Sequence, residues 1–333
     1  MPKTTKKTRQ KDIIEQIEAN RGSKAIVYFT GEKNPLEQFG TQVAIDILPL
    51  FRDVLENIGK NINKISLILN TSGGSLEVPW PLVNLIREYC KTFEVIVLEK
   101  ALSAGTLISL GADKIVMLPY SSLSPVDPAA NFIDGEKKQV KRLEIEDIIG
   151  YIDFAKQKVG IAEQNALADI MKELSKEISP TMLGSVNRTH SLIRRLAKNL
   201  LFLHKNSISE KQVKEITENL TQNLFSHRHL INRREAKNII GFGNIIEFAG
   251  ENTKNIASNI HKYCSDILQI DKDFDPGAII GSNNEINYSL PRALIYSTAI
   301  KYKFISSYKI VKTPDPSGKP QILINNFENK WKK

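Results

Sequence analysis

Two apolar runs in the first third of the chain each end in a turn of small residues that opens a helix. The first run covers residues 65–70 and leads into Gly73 and Gly74, and the second covers residues 93–99 and leads into Ser103. Runs this continuous, alternating with helical periodicity, are typical of parallel strands buried on both faces. The sequence therefore predicts an α/β fold, in which two turns of this kind bring backbone N–H groups and a serine hydroxyl around one point.

The alternation of strands and helices continues on both sides of these runs. Further strands are expected at 24–30 and 114–118, and helices of the core at 41–58, 76–90 and 103–111. After a polar connection the pattern becomes helical, with candidates at 145–158, 161–178, 181–205, 210–224 and 233–239. Two apolar segments, 304–312 and 321–327, flank a turn-rich stretch and predict a hairpin.

No linker in the sequence indicates a boundary between separate domains. We therefore expect one α/β core with a helical and a β-rich appendage. The regions are a basic N-terminal arm at 1–24, a core with both turns at 25–135, a helical region at 136–270 and a β-rich extension at 271–333. The arm is expected to be loosely held and to pass into a short helix at 12–19.

Composition restricts the class of protein. The 333 residues are 41% hydrophobic and 25% charged, which suits a globular chain, and the net charge is +9. The basic residues are scattered, which favours a solvated surface over a nucleic-acid groove. Only two cysteines occur, without CxxC spacing, and no apolar run approaches the roughly 20 residues that span a bilayer. We expect a cytoplasmic protein without a metal site or cofactor.

The residues at the two turns match the needs of acyl transfer. Glycine at 73 and 74 lets a substrate carbonyl approach the backbone closely. One oxyanion donor would be the amide of Gly73 or Gly74 and the other that of Ala104, next to Ser103 as nucleophile. The same residues also fit a tight turn followed by a serine that caps a helix, so this pattern leaves both interpretations open.

A family resemblance favours the catalytic interpretation. The stretch 69–75 (LNTSGGS) with 103–117 (SAGTLISLGADKIVM) resembles the Clp protease/crotonase superfamily, and within it the serine dehydrogenase proteinase family, relatives of signal peptide peptidase A. Segments 123–128, 182–200 and 226–237 are also similar to that family. The resemblance implies a crotonase-like fold of stacked βαβ units, Ser103 as nucleophile, and Gly73, Gly74 and Ala104 as the oxyanion hole. It also implies a homo-oligomer acting on a peptide or protein.

The general base is not identified by the resemblance. The Clp proteolytic subunit has a histidine shortly after its serine, whereas the first histidine of this chain is His190. A buried lysine is one alternative, and among Lys138, Lys141 and Lys156 the last has the most apolar neighbours. The other alternative is His227, which titrates near neutral pH without special burial. Asp127, which lies between Pro125 and Pro128, could orient a base or a substrate amine, or it could form an Asx turn.

Two other classes of function share these features. A crotonase-like enzyme acting on an acyl-CoA would use the same amides to hold an enolate. A catalytically silent scaffold or nucleic-acid-binding protein would use only the basic surface. Two of the remaining histidines, His190 and His204, lie on an apolar helical stripe and are expected to pack in the core. The sequence favours a serine peptidase over both alternatives.

Overall fold

The computed structural model describes residues 6–32, 41–126, 129–133, 140–206, 208–221, 229–314 and 317–333. The strands are β1 Lys24–Thr30, β2 Ile62–Thr71, β3 Cys90–Ala101, β4 Lys114–Met117, β5 Ser122–Leu123, β6 Ala129–Ile133, β7 Val140–Glu144, β8 Ile231–Asn232, β9 Ile246–Phe248, β10 Glu285–Tyr296, β11 Lys301–Pro314 and β12 Pro320–Lys332. The helices are α1 Lys6–Arg21, α2 Ile47–Ile58, α3 Pro79–Arg87, α4 Ala104–Leu110, α5 Ile145–Asp153, α6 Gln164–Glu177, α7 Pro180–Leu201, α8 Glu210–Thr221, α9 Arg233–Asn238, α10 Glu251–Leu268 and α11 Pro276–Ile280.

One sheet organises the described chain. Its order is β12-β11-β10-β1-β2-β3-β4-β9, and the strands from β1 to β9 pair in parallel. The short β5 extends β3 in parallel and pairs with β8 in the antiparallel sense. Strands β6 and β7 form a separate antiparallel pair. The predicted α/β fold with a terminal hairpin is confirmed, the hairpin being β11 and β12.

Side chains alternate between two cores because successive residues of a strand point to opposite faces. On one face, Tyr28 and Leu67 pack with helices α2, α3, α4, α7 and α8. On the other, Phe29 and Ile68 pack with α1 and α10. Both faces of the parallel strands are therefore covered, which explains why these strands are nearly continuous apolar runs.

The terminal strands enlarge the sheet instead of forming a separate unit. Strand β10 pairs with β1 in the antiparallel sense, with Thr30 opposite Ala293, and β11 and β12 follow as a meander. A smaller core around Phe274 and Tyr308 fills the space beneath this extension. Within the region predicted to be helical, 136–270, the short strands β8 and β9 also join the sheet.

The segment interpreted as a loose basic arm contains a docked helix. Helix α1 is longer than the helix expected at 12–19, and its Ile14 and Ile17 are fully buried against the α10 side of the sheet. Its last residue, Arg21, donates to Glu94 Oε1 of β3 at 3.0 Å and to Glu247 Oε1 of β9 at 2.7 Å. Hydrophobic burial and this ion pair together hold the helix to the amino ends of the strands.

The ion pair between Arg21 and Glu94 provides a test of how firmly α1 is held. Glu94 is 2% exposed, so Arg21→Met leaves a buried carboxylate that has lost its main partner. We expect the free energy of unfolding to fall by about 3 kcal/mol, measured by urea denaturation. The matched control Lys11→Met, on an exposed part of the same helix, should change it by less than about 0.5 kcal/mol. Equal losses in the two variants would contradict this account.

Candidate functional site

The turn after β2 has room only for glycine at its centre. Gly73 and Gly74 have φ angles of 105° and 153°, which residues with a side chain rarely adopt. Val43 runs alongside the turn, since its N–H donates to Gly73 O at 2.8 Å and its carbonyl accepts from Ser75 N at 2.7 Å. A Cβ atom at Gly74 would lie 2.3 Å from the Val43 carbonyl oxygen. The close approach of Val43 therefore requires glycine there.

The carboxyl ends of β2 and β3 are tied side by side. The Oδ1 atom of Asn70 accepts hydrogen bonds from the amides of Glu99, at 3.2 Å, and Lys100, at 3.3 Å. Thr71 follows Asn70, and its carbonyl accepts a hydrogen bond from the amide of Leu102 at 3.0 Å. These bonds replace the regular strand register at this point and bring the turn after β3 against the turn after β2.

Ser103 has an unusual backbone conformation at the start of α4. Its φ and ψ angles are 49° and −110°, outside the regions that L-residues ordinarily occupy, and its side chain is half-buried. It stands at the N-cap position, yet its hydroxyl makes no capping hydrogen bond. The simple interpretation of this serine as a helix cap therefore fails. Strain of this kind in a polar residue is typical of functional sites.

Two hydroxyl groups behind Ser103 hold its backbone in place. The amide of Ser103 donates to Ser124 Oγ at 2.8 Å. Ser124 is itself fixed by Thr106, whose Oγ1 accepts from the Ser124 amide at 3.1 Å and donates to the Ala101 carbonyl at 2.8 Å. Both residues lie in segments that resemble the family, but nothing in the sequence indicates that their hydroxyl groups support Ser103, because that contact joins residues far apart in the chain. The contact between them joins α4 to the segment after β5.

The two turns meet directly. A Cβ atom placed on Gly73 would lie 2.9 Å from the Cβ of Ser103 and 3.4 Å from the amide nitrogen of Ala104. The Gly73 amide donates to Thr71 Oγ1 at 3.2 Å. Among the described residues, the amides of Gly74 and Ala104 and the hydroxyl of Ser103 have no hydrogen-bond partner. Free donors and a free hydroxyl thus occur together at one edge of the sheet.

Two ion pairs flank this edge. Burial alone would raise the pKa of the Glu32 carboxyl, but hydrogen bonds from Lys100, at 2.8 Å, and Ser72 outweigh it, so the pKa lies below its ordinary value. The pKa of Glu99 is also lowered, chiefly by its hydrogen bond with His261 at 3.2 Å. Both carboxylates are therefore ionised at neutral pH and occupied by a cationic or hydrogen-bonding partner.

The structure describes only some of the candidate bases. Asp127, His227 and Lys138 lie outside the described residues, as does the side chain of Lys141. Lys156 lies in a single π-helical turn, Phe154–Lys158, and its side chain is exposed. A lysine that acts as a general base requires burial, and Lys156 is not buried. Its catalytic role stays a prediction.

The chain that flanks Asp127 and His227 is described, and it converges on Ser103. Val126, directly before Asp127, donates its amide to the carbonyl of Leu220 at 2.9 Å. On the other side of the undescribed segment 222–228, Ile231 pairs with Leu123. Both ends of that segment are thus held at residues 123–126, whose Ser124 binds the amide of Ser103.

The other histidines have structural partners. His229 contacts Glu235 Oε1 at 2.6 Å, at the start of α9. The predicted core positions of His190 and His204 are confirmed, with exposures of 6% and 9%. His204 Nε2 contacts the Leu110 carbonyl at 2.7 Å, and burial lowers its pKa. These three rings hold helices together.

Within the described ranges, no group of three or more His, Cys, Asp or Glu side chains is arranged to hold a metal ion. None of the helices described is both long enough and apolar enough to cross a bilayer.

Two curated proteins are similar to about half of this chain. Two proteins of Methanocaldococcus jannaschii match at 26% identity: MJ0137 over 53% of this chain and 51% of its own length, and MJ1495 over 45% and 54%. Both are described only as uncharacterized. The chain therefore spans about half the length of the curated relatives it matches.

Solved structures resemble the chain more distantly. ClpP1 from Listeria monocytogenes is 16% identical with a TM-score of 0.37, covering 74% of this chain and 98% of its own. A mutant of the 1510-N membrane-bound stomatin-specific protease is 16% identical with a TM-score of 0.35, covering 66% and 77%. Likeness at this level carries no argument about activity.

The family comparison is the more specific one. The sequence model described as the ClpP-like SDH-type serine proteinase matches residues 1–178 of the 333. The match includes both turns and Ser103, and it agrees with the resemblance noted from the sequence. The chain belongs to the ClpP-like SDH-type serine proteinase family.

Proposed function

We propose that the protein is a serine peptidase that forms an acyl-enzyme on Ser103. The observation that carries this proposal is the strained backbone of Ser103, whose hydroxyl makes no capping hydrogen bond and whose Cβ lies beside Gly73. A conformation that costs about 1–3 kcal/mol persists only where the surroundings impose it, and such residues cluster at active sites. Family membership supports the same reaction class.

The oxyanion hole is proposed to consist of the amides of Gly74 and Ala104. Of the two glycines, Gly73 already donates to Thr71 Oγ1, whereas Gly74 has a free N–H within the described chain. The Ala104 amide opens α4, where the unpaired N–H groups of a helix attract negative charge. Two such donors at 2.7–3.1 Å from a developing oxyanion stabilise it by about 3 kcal/mol each.

The reaction follows from these positions. The Ser103 oxygen attacks the carbonyl carbon of the substrate, and its proton passes to the base. The carbon–nitrogen bond then breaks, and the departing amine takes that proton, leaving an ester on Ser103. Water, deprotonated by the same base, attacks the ester. The protonated base then gives its proton to the departing Ser103 oxygen, and the carboxylic acid product is released.

His227 is proposed as the base, with Asp127 as its orienting carboxylate. The supporting observation is that the described residues on both sides of 222–228 are held at 123–126, beside Ser103. Lys156 is the alternative base. A homo-oligomer and a peptide or protein substrate also stay predictions.

Covalent labelling tests the nucleophile. A fluorophosphonate probe should label the wild-type protein on Ser103, and Ser103→Ala should abolish labelling because no other serine or threonine of the described segments has a positive φ. The measurement is the modified peptide identified by mass spectrometry. Ser75→Ala is the matched control in the facing turn and should label like the wild type. Unlabelled wild-type protein with a native melting curve would remove the hydrolase proposal.

A pair of glycine variants tests the contact between the turns. In Gly73→Ala the new methyl group meets Ser103, so we expect the labelling rate to fall about 100-fold. Gly22→Ala is the control, since Gly22 also has a positive φ, 59°, but a Cβ atom there has nothing within 4 Å. It should lose about 1 kcal/mol of stability and keep its labelling rate. Equal rates in both variants would contradict the proposal.

The pH dependence of labelling distinguishes the bases. A histidine must be neutral to accept the proton, so the wild-type rate should rise with pH to a plateau, with a midpoint near about 6.5. His227→Ala should lower the plateau by at least about 100-fold and remove this step, whereas Lys156→Ala should leave the profile unchanged. The reverse result, with loss in Lys156→Ala alone, would assign a lysine base.

A further inference from the structure

A cleft with a surplus of positive charge lies between α7 and α8. It has a volume of about 680 Å³ and is formed by the carboxyl half of α7 and most of α8. Five cationic and two anionic side chains line it: Arg194, Arg195, Lys198, Lys211 and Lys214, with Glu210 and Glu218. Both helices contribute cationic side chains, so positive charge lies on both sides of the cleft.

Few of these charges are neutralised by neighbours. The only ion pair within the lining, among the described residues, joins Lys214 Nζ to Glu218 Oε1 at 3.8 Å, a distance at the limit of such contacts. Lys198 stacks over the exposed ring of Phe202 at 5.7 Å. Arg194, Arg195 and Lys211 have no salt bridge to any described residue. The field of the cleft is therefore available to an anionic ligand.

The floor of the cleft is apolar. Val213 is 1% exposed and Thr217 is 7% exposed. The Thr217 hydroxyl is satisfied, because it donates to the Val213 carbonyl at 2.7 Å, so its methyl group remains for contact. The aliphatic stems of the arginine and lysine side chains extend this apolar surface. A ligand that fills the cleft needs an apolar body as well as negative charges.

These properties favour a peptide over a nucleic acid. Single-stranded nucleic acids bind on aromatic platforms, and none of the described residues that line this cleft is aromatic. The carboxylates of Glu210 and Glu218 would repel an evenly charged phosphate backbone. A peptide avoids both problems, since its acidic side chains lie beside the cations while an apolar side chain contacts Val213 and Thr217.

We propose that the α7–α8 cleft is a docking site for an acidic, amphipathic segment of a protein partner. Nothing in the proposal depends on Ser103. The cleft is nevertheless connected to that region, because α8 ends at Thr221 and its Leu220 carbonyl holds Val126. A segment bound in the cleft thus lies within one helix length of the chain that supports the nucleophile, about 18 Å.

A fluorescent peptide measures this binding directly. The probe is a synthetic peptide of alternating glutamate and leucine, as long as α8 at 12 residues, and the reference probe replaces each glutamate by glutamine. Fluorescence anisotropy with the full chain should give saturable binding of the acidic peptide alone. The affinity should fall steeply between roughly 0.05 M and 0.5 M salt, because the attraction is electrostatic.

Charge reversal identifies the cleft as the site. Arg195→Glu combined with Lys211→Glu changes one exposed cation on each helix and should weaken binding by at least about tenfold. The matched control, Lys172→Glu with Lys176→Glu, makes the same change of net charge on the exposed α6 and should bind like the wild type. Both double variants should keep the wild-type melting temperature within about 2 °C.

Several outcomes would overturn the proposal. Equal weakening in the two double variants would mean that net charge, and not the cleft, attracts the peptide. Tighter binding of a duplex or single-stranded oligonucleotide, lost in the cleft variant, would assign the surface to nucleic acid. Self-association that is lost in the cleft variant and blocks the peptide would assign it to a second copy of the chain. Ser103→Ala should bind the peptide normally, so failure here is separable from failure of the proposed peptidase activity.

Discussion

The backbone of Ser103 is the constraint on which the site depends. A φ of 49° with ψ of −110° is unfavourable for a residue with a side chain, so neighbouring contacts must hold it. The amide of Ser103 is fixed by Ser124, and its carbonyl accepts from Leu107 at 3.0 Å as the first bond of α4. Each bond contributes about 1 kcal/mol, which is the scale of the strain. The Ser103 hydroxyl makes no capping hydrogen bond to the helix, and the Cβ that carries it lies beside the turn at Gly73.

Glycine supplies the space for that arrangement at three points, each for a different neighbour. A Cβ atom at Gly105 would lie 2.7 Å from Thr71 Cγ2, so α4 could not approach the end of β2 so closely. Gly73 makes room for Ser103, and Gly74 makes room for Val43. The site therefore depends on backbone segments that approach each other closely. This approach requires glycine, which has no side chain, and does not require a particular functional group. This explains why its sequence signal is a run of small residues.

The parallel core and both turns could be predicted because their evidence is local. Strands β1 to β4 are apolar runs, and Pro79 at the beginning of α3 marks a helix start. Helix α10 and strand β10 lie in the regions expected to be helical and β-rich, but the sequence does not indicate where either element begins and ends. Strand β10 is defined by its pairing with β1, about 265 residues earlier in the chain, and such a pairing leaves no local pattern. The two-residue strands β5 and β8 are too short for any period.

The same distinction explains what could be predicted of the site. Ser103, Gly73 and Gly74 belong to contiguous motifs, and the sequence identified them. Ser124 holds the amide of Ser103 through a bond across 21 residues, and the bond from Val126 to Leu220 spans more than 90. A base held by contacts of this kind would have no fixed spacing from its serine, so a motif search finds the candidate serine and leaves the base open.

The two edges of the sheet have separate roles. At the amino ends of the strands, Arg21 joins α1 to β3 and β9 through carboxylates, one of which is almost fully buried. At the carboxyl ends, the ion pairs of Glu32 and Glu99 lie at the rim, and the centre between them is occupied by glycine and serine. Among the described residues, no charged side chain is hydrogen-bonded to the amides of Gly74 or Ala104. In the proposed mechanism these two amides would therefore be free to donate to a developing oxyanion.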